Sequence, residues 1–295
     1  MPTSAVVRSL TSQFQIMTGD SEKTAAKSSM SFRDIKQGIR SWKKAGLALS
    51  SQSRLESQQR RTPQGYVASN NKYSQEAPLN QIFNSLRGAS DPKDSIGIES
   101  SMTYLAETLN VNLENAEMFV ALEAVRAPSI GQITRQGFME GWSSKGIDAN
   151  TKAHAAYIRD YTNLLSRDPG YFKTVYRYAF VVGKEPDQKS LSLENATIYW
   201  NMLFGTPGWQ WKTANYDWLS LWVEYLNEHY PRPVNKDMWN QTLEFARKAV
   251  EDETLSFWNE DGAWPSVIDG FVAWFYEKFG DPRGKAKEGD DEESD

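Results

Sequence analysis

Few side chains in this sequence could do chemistry. The 295-residue chain has no cysteine, which excludes disulfides, thiolate metal ligands and any thioester carried by the chain itself. Its two histidines, His154 and His229, lie too far apart in sequence to suggest a metal motif, and each reads as a surface or packing residue. Paired carboxylates such as Asp160 and Asp168 could serve acid–base hydrolysis, but the spacing nominates neither a nucleophile nor an oxyanion site. The segment DPKDSIGIESSM, Asp91 to Met102, can be tested as a calcium loop. An EF-hand needs oxygen ligands at its first, third and fifth positions, glycine at the sixth and a bidentate glutamate at the twelfth. Here Lys93 holds the third, Ile96 the sixth and Met102 the twelfth. A degenerate, metal-free helix–loop–helix is expected, with no metal or other cofactor.

Helical periodicity supplies the scaffold for these residues. Met118, Ala121, Leu122 and Val125 recur at helical spacing, and Phe119, Val120 and Ala124 make the opposite side apolar as well. A helix apolar on most faces is sandwiched between layers or lines a pocket. Leu79, Ile82, Phe83 and Leu86 predict a helix resuming order near Pro78 and closed by Gly88. Further stripes are Leu193, Ala196, Trp200, Leu203; Trp218, Leu221, Trp222, Tyr225; Trp239, Leu243, Ala246, Val250; and Ile268, Phe271, Val272, Phe275. No alternating strand stands out, although GIE (97–99) and GQIT (131–134) could pair briefly. The fold class is all-α. Of eleven tryptophans only Trp42 precedes Trp142, so the ordered mass is expected in the C-terminal two-thirds, with Trp200, Trp222, Trp239 and Trp264 in its core.

The N-terminal third reads differently. Val7, Leu10, Phe14 and Met17 predict one short helix, and Asp20 or Ser21 could cap a second. Residues 28–76 are basic and Ser/Gln-rich, while the end of the chain, GDDEESD, is acidic within an overall net charge of −5. Phe32, Ile35, Ile39, Trp42 and Leu49 could stripe a basic helix for an anionic surface or nucleic acid. The composition favours a solvated linker instead, so neither a nucleic-acid nor a membrane partner is expected. No run of about 18 apolar residues occurs. Asp20 and Glu22 argue against a signal or transit peptide, and an intracellular protein is expected.

Five blocks carry a resemblance: FMEGW (138–142), DPGYFKTVYRYAF (168–180), LENATIYWNMLF (193–204), KDMWNQTLEF (236–245) and DGAWPSVIDGFVAWF (261–275). In this order and spacing they resemble the defective-in-cullin-neddylation family. The resemblance implies a potentiating-neddylation (PONY) domain over residues 78–280, built from two EF-hand-like helical halves without metal. VRSLTSQFQIMTGDSEKTAAK (7–27) resembles the first half of that family's ubiquitin-associated domain, so residues 1–27 are a partial ubiquitin-associated segment. After Lys27 the third helix is not recognisable, and any binding of ubiquitin or a ubiquitin-like modifier is expected to be weak. Residues 28–77 then form a basic linker and 281–295 an acidic tail, both expected to be disordered.

The resemblance implies a non-catalytic scaffold, cytoplasmic and nuclear, that binds the C-terminal winged-helix region of a cullin and holds it against the conjugating enzyme charged with a ubiquitin-like modifier. Proximity and orientation would supply the acceleration, through two modest binding surfaces on one body. The family's Asp-Ala-Asp triplet for the cullin falls on Asp237, Ala263 and Asp269. Two carboxylates around a small residue suit a basic partner. Read locally, Asp237 could simply cap the helix beginning near Met238, and Asp269 could be a solvated flank. The family's second surface takes the N-acetylated methionine of the conjugating enzyme. Burying a free ammonium unpaired would cost several kcal/mol, and the acetyl group removes that charge. The matching positions are Ile98 and Met102, then Met118, Ala121, Leu122 and Val125, then Ala127 and Ile133, and finally Val182, Tyr199 and Met202. Val125, Ile133 and Val182 differ in size from the aromatic residues common there in animal members. Read locally, each of these could be an ordinary core residue. The alternative function for the chain is an EF-hand-like calcium-binding protein or a general helical adaptor.

Overall fold

A computed structural model describes residues 71–185 and 187–281. The expected ubiquitin-associated segment, most of the linker and the acidic tail beyond Asp281 lie outside the described residues. Ten helices run through the rest, joined by four two-residue strands. The first half holds α1 (Asn71–Leu86), β1 (Ser95–Ile96), α2 (Ile98–Thr103), α3 (Glu117–Ala124), β2 (Ile133–Thr134), α4 (Arg135–Lys145) and α5 (Thr151–Thr162). The second holds α6 (Pro169–Gly183), β3 (Ser190–Leu191), α7 (Leu193–Phe204), α8 (Trp218–His229), β4 (Val234–Asn235), α9 (Lys236–Glu251) and α10 (Ser266–Phe279). A π-helical turn, Tyr104–Thr108, continues α2.

Each half pairs two helix–loop–helix units through a minimal antiparallel contact between their loops. Ser95 and Ile96 pair with Thr134 and Ile133, and Ser190 and Leu191 pair with Asn235 and Val234. The first pairing therefore begins just ahead of the GIE triplet that the sequence suggested. The loop after α1 closes on protein groups. Asp91 accepts hydrogen bonds from the backbone N–H of Gly88 at 2.8 Å and of Gly97 at 3.0 Å. Partial burial opposes its ionisation, but these bonds, one with Ser100 and the Arg87 charge hold its carboxyl below the usual range.

Local chemistry fixes the helix starts. Thr134, Asn150, Ser192, Asp217 and Asn235 each accept a hydrogen bond from the backbone N–H three residues on, and Asp168 from the next two N–H groups after Pro169. These caps satisfy donors that the helix itself leaves open. Helix α1 departs from expectation, beginning at Asn71 with Pro78 in its interior. Proline marks a favoured helix start, and here tertiary packing carries the helix through it, with Leu79 and Phe83 fully buried.

The core is aromatic. Tyr176 stacks on Trp239 with ring centroids 4.6 Å apart, and Trp239 stacks on Trp200 at 5.2 Å. Trp222 meets Trp200 edge-on at 5.9 Å. Helix α3 is buried all round, packed against α5 and α6, as its two-sided apolar pattern required. Helix α4 crosses its end closely: a methyl added at Gly141 would sit 2.2 Å from the Ala124 carbonyl. Trp264, expected in the core, is only half buried, at the edge of Phe245 and Phe257.

Candidate functional site

The acidic candidates stand at the starts of the last two helices. Asp237 is exposed in the first turn of α9. It is not the cap of that helix: the Asn235 side chain accepts from Met238 N–H at 2.8 Å. Asn and Asp cap equally well, so sequence could not choose between them. Asp237 is left facing solvent, where its charge sits favourably at a helix N-terminus.

Ala263 is exposed in the loop between α9 and α10. Asp269 lies in the first turn of α10, half buried. Its Oδ1 accepts a hydrogen bond from Trp258 Nε1 at 2.9 Å, so it is not the freely solvated flank of the local reading. Beside it, burial pushes the Tyr225 hydroxyl up in pKa and the Asp269 charge adds to that. Gly270 makes room for this neighbour, since a methyl there would sit 2.2 Å from the Tyr225 hydroxyl.

The loop carrying Ala263 is built from its own residues. Asp252 gathers four donors, the N–H and hydroxyl of both Thr254 and Ser256. Slight burial opposes ionisation, but these bonds hold the Asp252 carboxyl at about 2. Leu255 takes a left-handed conformation, φ 55°, and Tyr276 donates its hydroxyl proton to the Thr254 carbonyl at 2.9 Å. Phe245 of α9 meets Trp264 at 5.8 Å and Phe271 at 5.7 Å. The helix of Asp237 is thus packed onto the segment bearing Ala263 and Asp269.

The apolar candidates converge elsewhere. Of the eleven, Met118, Ala121, Leu122, Val125, Ala127, Ile133, Val182, Tyr199 and Met202 are buried, while Ile98 and Met102 are half buried. Several contacts join the elements that carry them. Ile130 N–H donates to the Val182 carbonyl at 3.1 Å, and Tyr178 donates its hydroxyl proton to the Ala127 carbonyl at 2.7 Å. Phe119 meets the Tyr199 ring edge-on at 5.3 Å. Gly131, at φ +84°, lets the loop pass so close to Ile98 that a methyl there would lie 2.9 Å from its Cγ1. Here these residues fill the space among themselves as packed core. A cleft of about 460 Å³ opens beside Val182 and Tyr199, lined by Gly183, Leu191 and Asn195, among others. Gly183 lies hard against the Tyr199 ring, 2.3 Å from where a Cβ would stand to Cε2.

Asp168 caps α6, and Asp160 is exposed beside Arg159. His229 is half exposed next to Glu228. His154 is fully buried, with Nδ1 3.3 Å from the Tyr104 hydroxyl. Trp258 is the residue at the acidic surface that sequence reasoning missed. It lies off every helical stripe, and its partner stands eleven residues away across a loop.

A family described as cullin binding matches residues 153–274, a span that includes all three acidic-surface positions. Defective in cullin neddylation protein 1 of Pyricularia oryzae is 39% identical over 289 residues, covering 94% of this chain and 96% of the relative. That alignment is longer than the described span, so it takes in much of the N-terminal segment as well. The protein of the same name from Yarrowia lipolytica is 29% identical over 197 residues, 67% of this chain and 77% of the relative. Human DCN1-like protein 5 is 32% identical over 183 residues, 62% of this chain and 72% of the relative. With an all-α fold of paired helix–loop–helix units and a relative matched along almost its whole length, this chain belongs to the defective-in-cullin-neddylation family.

Proposed function

We propose that this protein is a non-catalytic scaffold of cullin neddylation, binding a cullin through Asp237, Ala263 and Asp269. Its place in cullin neddylation rests on family membership and on the cullin-binding match. The observation that carries the site is the pairing of an exposed small residue, Ala263, with a half-buried carboxylate, Asp269, held in one orientation by Trp258. An exposed alanine lets a partner backbone approach closely. The fixed carboxylate and the solvent-facing Asp237 then offer oxygens to Lys or Arg.

The second surface in this reading takes the acetylated N-terminal methionine of the neddylation conjugating enzyme. Ile98 and Met102 are the half-buried members of that cluster and mark where an apolar side chain would enter. Because the other candidates are packed against one another, entry requires side chains around Tyr199 and Val182 to part. Holding both partners on one body raises their effective concentration and orients the cullin lysine toward the thioester carried by the enzyme, worth several kcal/mol of barrier.

Reconstituted cullin modification tests this directly. The wild-type chain should accelerate transfer, and Asp269→Ala or Asp237→Lys should weaken cullin binding and reduce the acceleration. No acceleration by wild type, or unchanged cullin affinity in both variants, would sink the scaffold reading. Peptides of the conjugating enzyme's N-terminus, acetylated and free, test the pocket separately, and equal affinities would reject that part alone.

A further inference from the structure

Among the described residues, Asp269 is the one member of the Asp-Ala-Asp triplet whose side chain is tethered by a residue from a different element. Trp258 reaches it from the loop between α9 and α10, with Nε1 2.9 Å from Oδ1. The tether is itself anchored. Trp258 is only 8% exposed, its backbone N–H donates to the Leu255 carbonyl at 3.0 Å, and its ring meets Tyr276 edge-on at 6.3 Å. Behind it, Asp252 binds Thr254 and Ser256, and Tyr276 donates to the Thr254 carbonyl. The backbone of Asp269 is fixed in turn, its N–H donating to the Pro265 carbonyl at 3.3 Å.

We infer that Trp258 is a positioning residue of the cullin-binding surface, presetting the Asp269 carboxylate by hydrogen-bonding Oδ1 before the partner arrives. The inference rests on the reading of Asp269 as a cullin contact and goes one step past it. A carboxylate on a helix surface samples several rotamers, and binding must select one. With one oxygen held by an indole from a built loop, that selection is made in the unbound protein. The indole donor is neutral, so the carboxylate keeps its full charge for the basic partner. Trp258 also ties the loop that displays Ala263 to the helix that displays Asp269, so two of the three contact residues are held in mutual register by one bond.

The test is a double-mutant cycle on the full chain, titrated with the C-terminal winged-helix region of a cullin. Trp258→Phe keeps an aromatic ring but removes the N–H. It should weaken binding roughly three- to tenfold in the wild-type background and change nothing further in Asp269→Ala. Unchanged or tighter binding by Trp258→Phe overturns the inference, as does an equal loss in the Asp269→Ala background, which would mean that Trp258 acts through the fold. If Asp269→Ala itself leaves affinity untouched, the contact role of Asp269 fails and the inference fails with it. That outcome is distinguishable from an effect of Asp269→Ala without one of Trp258→Phe. Should Trp258→Phe not fold, exchange of the Trp258 indole proton decides. It should be slow in wild type and faster in Asp269→Ala, and equal rates overturn the tether.

Discussion

The imidazole of His154 lies flat on the indole of Trp142, with ring centroids 3.9 Å apart and planes within 3°. Phe138 closes the edge at 6.0 Å, and the Tyr104 hydroxyl stands 3.3 Å from Nδ1. Nε2 is buried and has no hydrogen-bond partner among the described residues. The ring behaves as a stacked apolar plate inside the first half, and a charge on it would be desolvated.

That burial makes stability depend on pH. It lowers the folded-state pKa of His154 from 6.5 to about 4. Above pH 6.5 neither folded nor unfolded chain binds the proton, and the group has no effect. Between 6.5 and 4 only the unfolded chain takes it, so stability falls as pH falls, by up to about 3 kcal/mol. Below 4 both states bind it and the loss levels off. Denaturant unfolding at pH 7 and pH 5 should therefore show a larger drop for wild type than for His154→Phe, which keeps a ring on Trp142 but cannot titrate. Equal drops would mean that His154 is not the group responsible.

Tyr176 is the hub of the second half. Its hydroxyl donates to the Trp239 carbonyl at 2.8 Å and accepts from Trp200 Nε1 at 2.8 Å, while Trp239 Nε1 donates to the Tyr176 carbonyl at 2.9 Å. Tyr176→Phe removes no ring and opens almost no cavity, yet strands the Trp200 indole N–H in a fully buried site, while the Trp239 carbonyl keeps its partner within α9. A buried orphan donor costs about 1–3 kcal/mol, so a loss of at least about 1 kcal/mol is expected in urea unfolding. A loss below about 0.5 kcal/mol would show that the donor finds another partner.

Helix existence was legible because the apolar stripes of α7, α8, α9 and α10 fall where side chains are buried in the fold. Boundaries were less so. Pro78 reads as a start signal locally, and only packing around Leu79 and Phe83 shows that α1 runs through it. Read locally, Asp237 could cap α9, whereas the cap is Asn235: two good capping residues stand two apart. Asp237, Ala263 and Asp269 were placed by motif alone, since no periodicity separates a contact residue from a solvated one. Trp258 had no local signal at all. Its role depends on a loop conformation set by Asp252, Leu255 and Tyr276 together, which no sequence window contains.

The apolar cluster separates into residues that can change without loss of the fold and residues that cannot. Ile98 is half buried against Gly131, so Ile98→Ala should cost little stability. It removes apolar contact worth about 0.8 kcal/mol per methylene, and affinity for the acetylated peptide should fall roughly tenfold. Val125 has no exposed surface, and Val125→Ala should lower stability by about 1–3 kcal/mol through the space it leaves. Peptide titration alongside thermal unfolding separates the two. Unchanged affinity in Ile98→Ala would remove that residue from the pocket.

The start of α9 separates folding from binding within three residues. Asn235 holds the cap, its side chain accepting from Met238 N–H, and its replacement by Ala should cost about 1 kcal/mol of stability. The backbone pairing of Asn235 with Ser190 survives that change, because it uses no side-chain atom. Asp237 contributes to the helix only through its charge near the N-terminus, so Asp237→Ala should cost about 0.5 kcal/mol or less. Cullin affinity should order the two variants the other way: weakened in Asp237→Ala, near wild type in Asn235→Ala. The partner is basic in this reading, so the loss in Asp237→Ala should also shrink as salt is raised through the range where surface charges are screened. If Asp237→Ala destabilises as much as Asn235→Ala, Asp237 is part of the helix start after all. If it leaves cullin affinity unchanged at low salt, the acidic surface does not extend to α9.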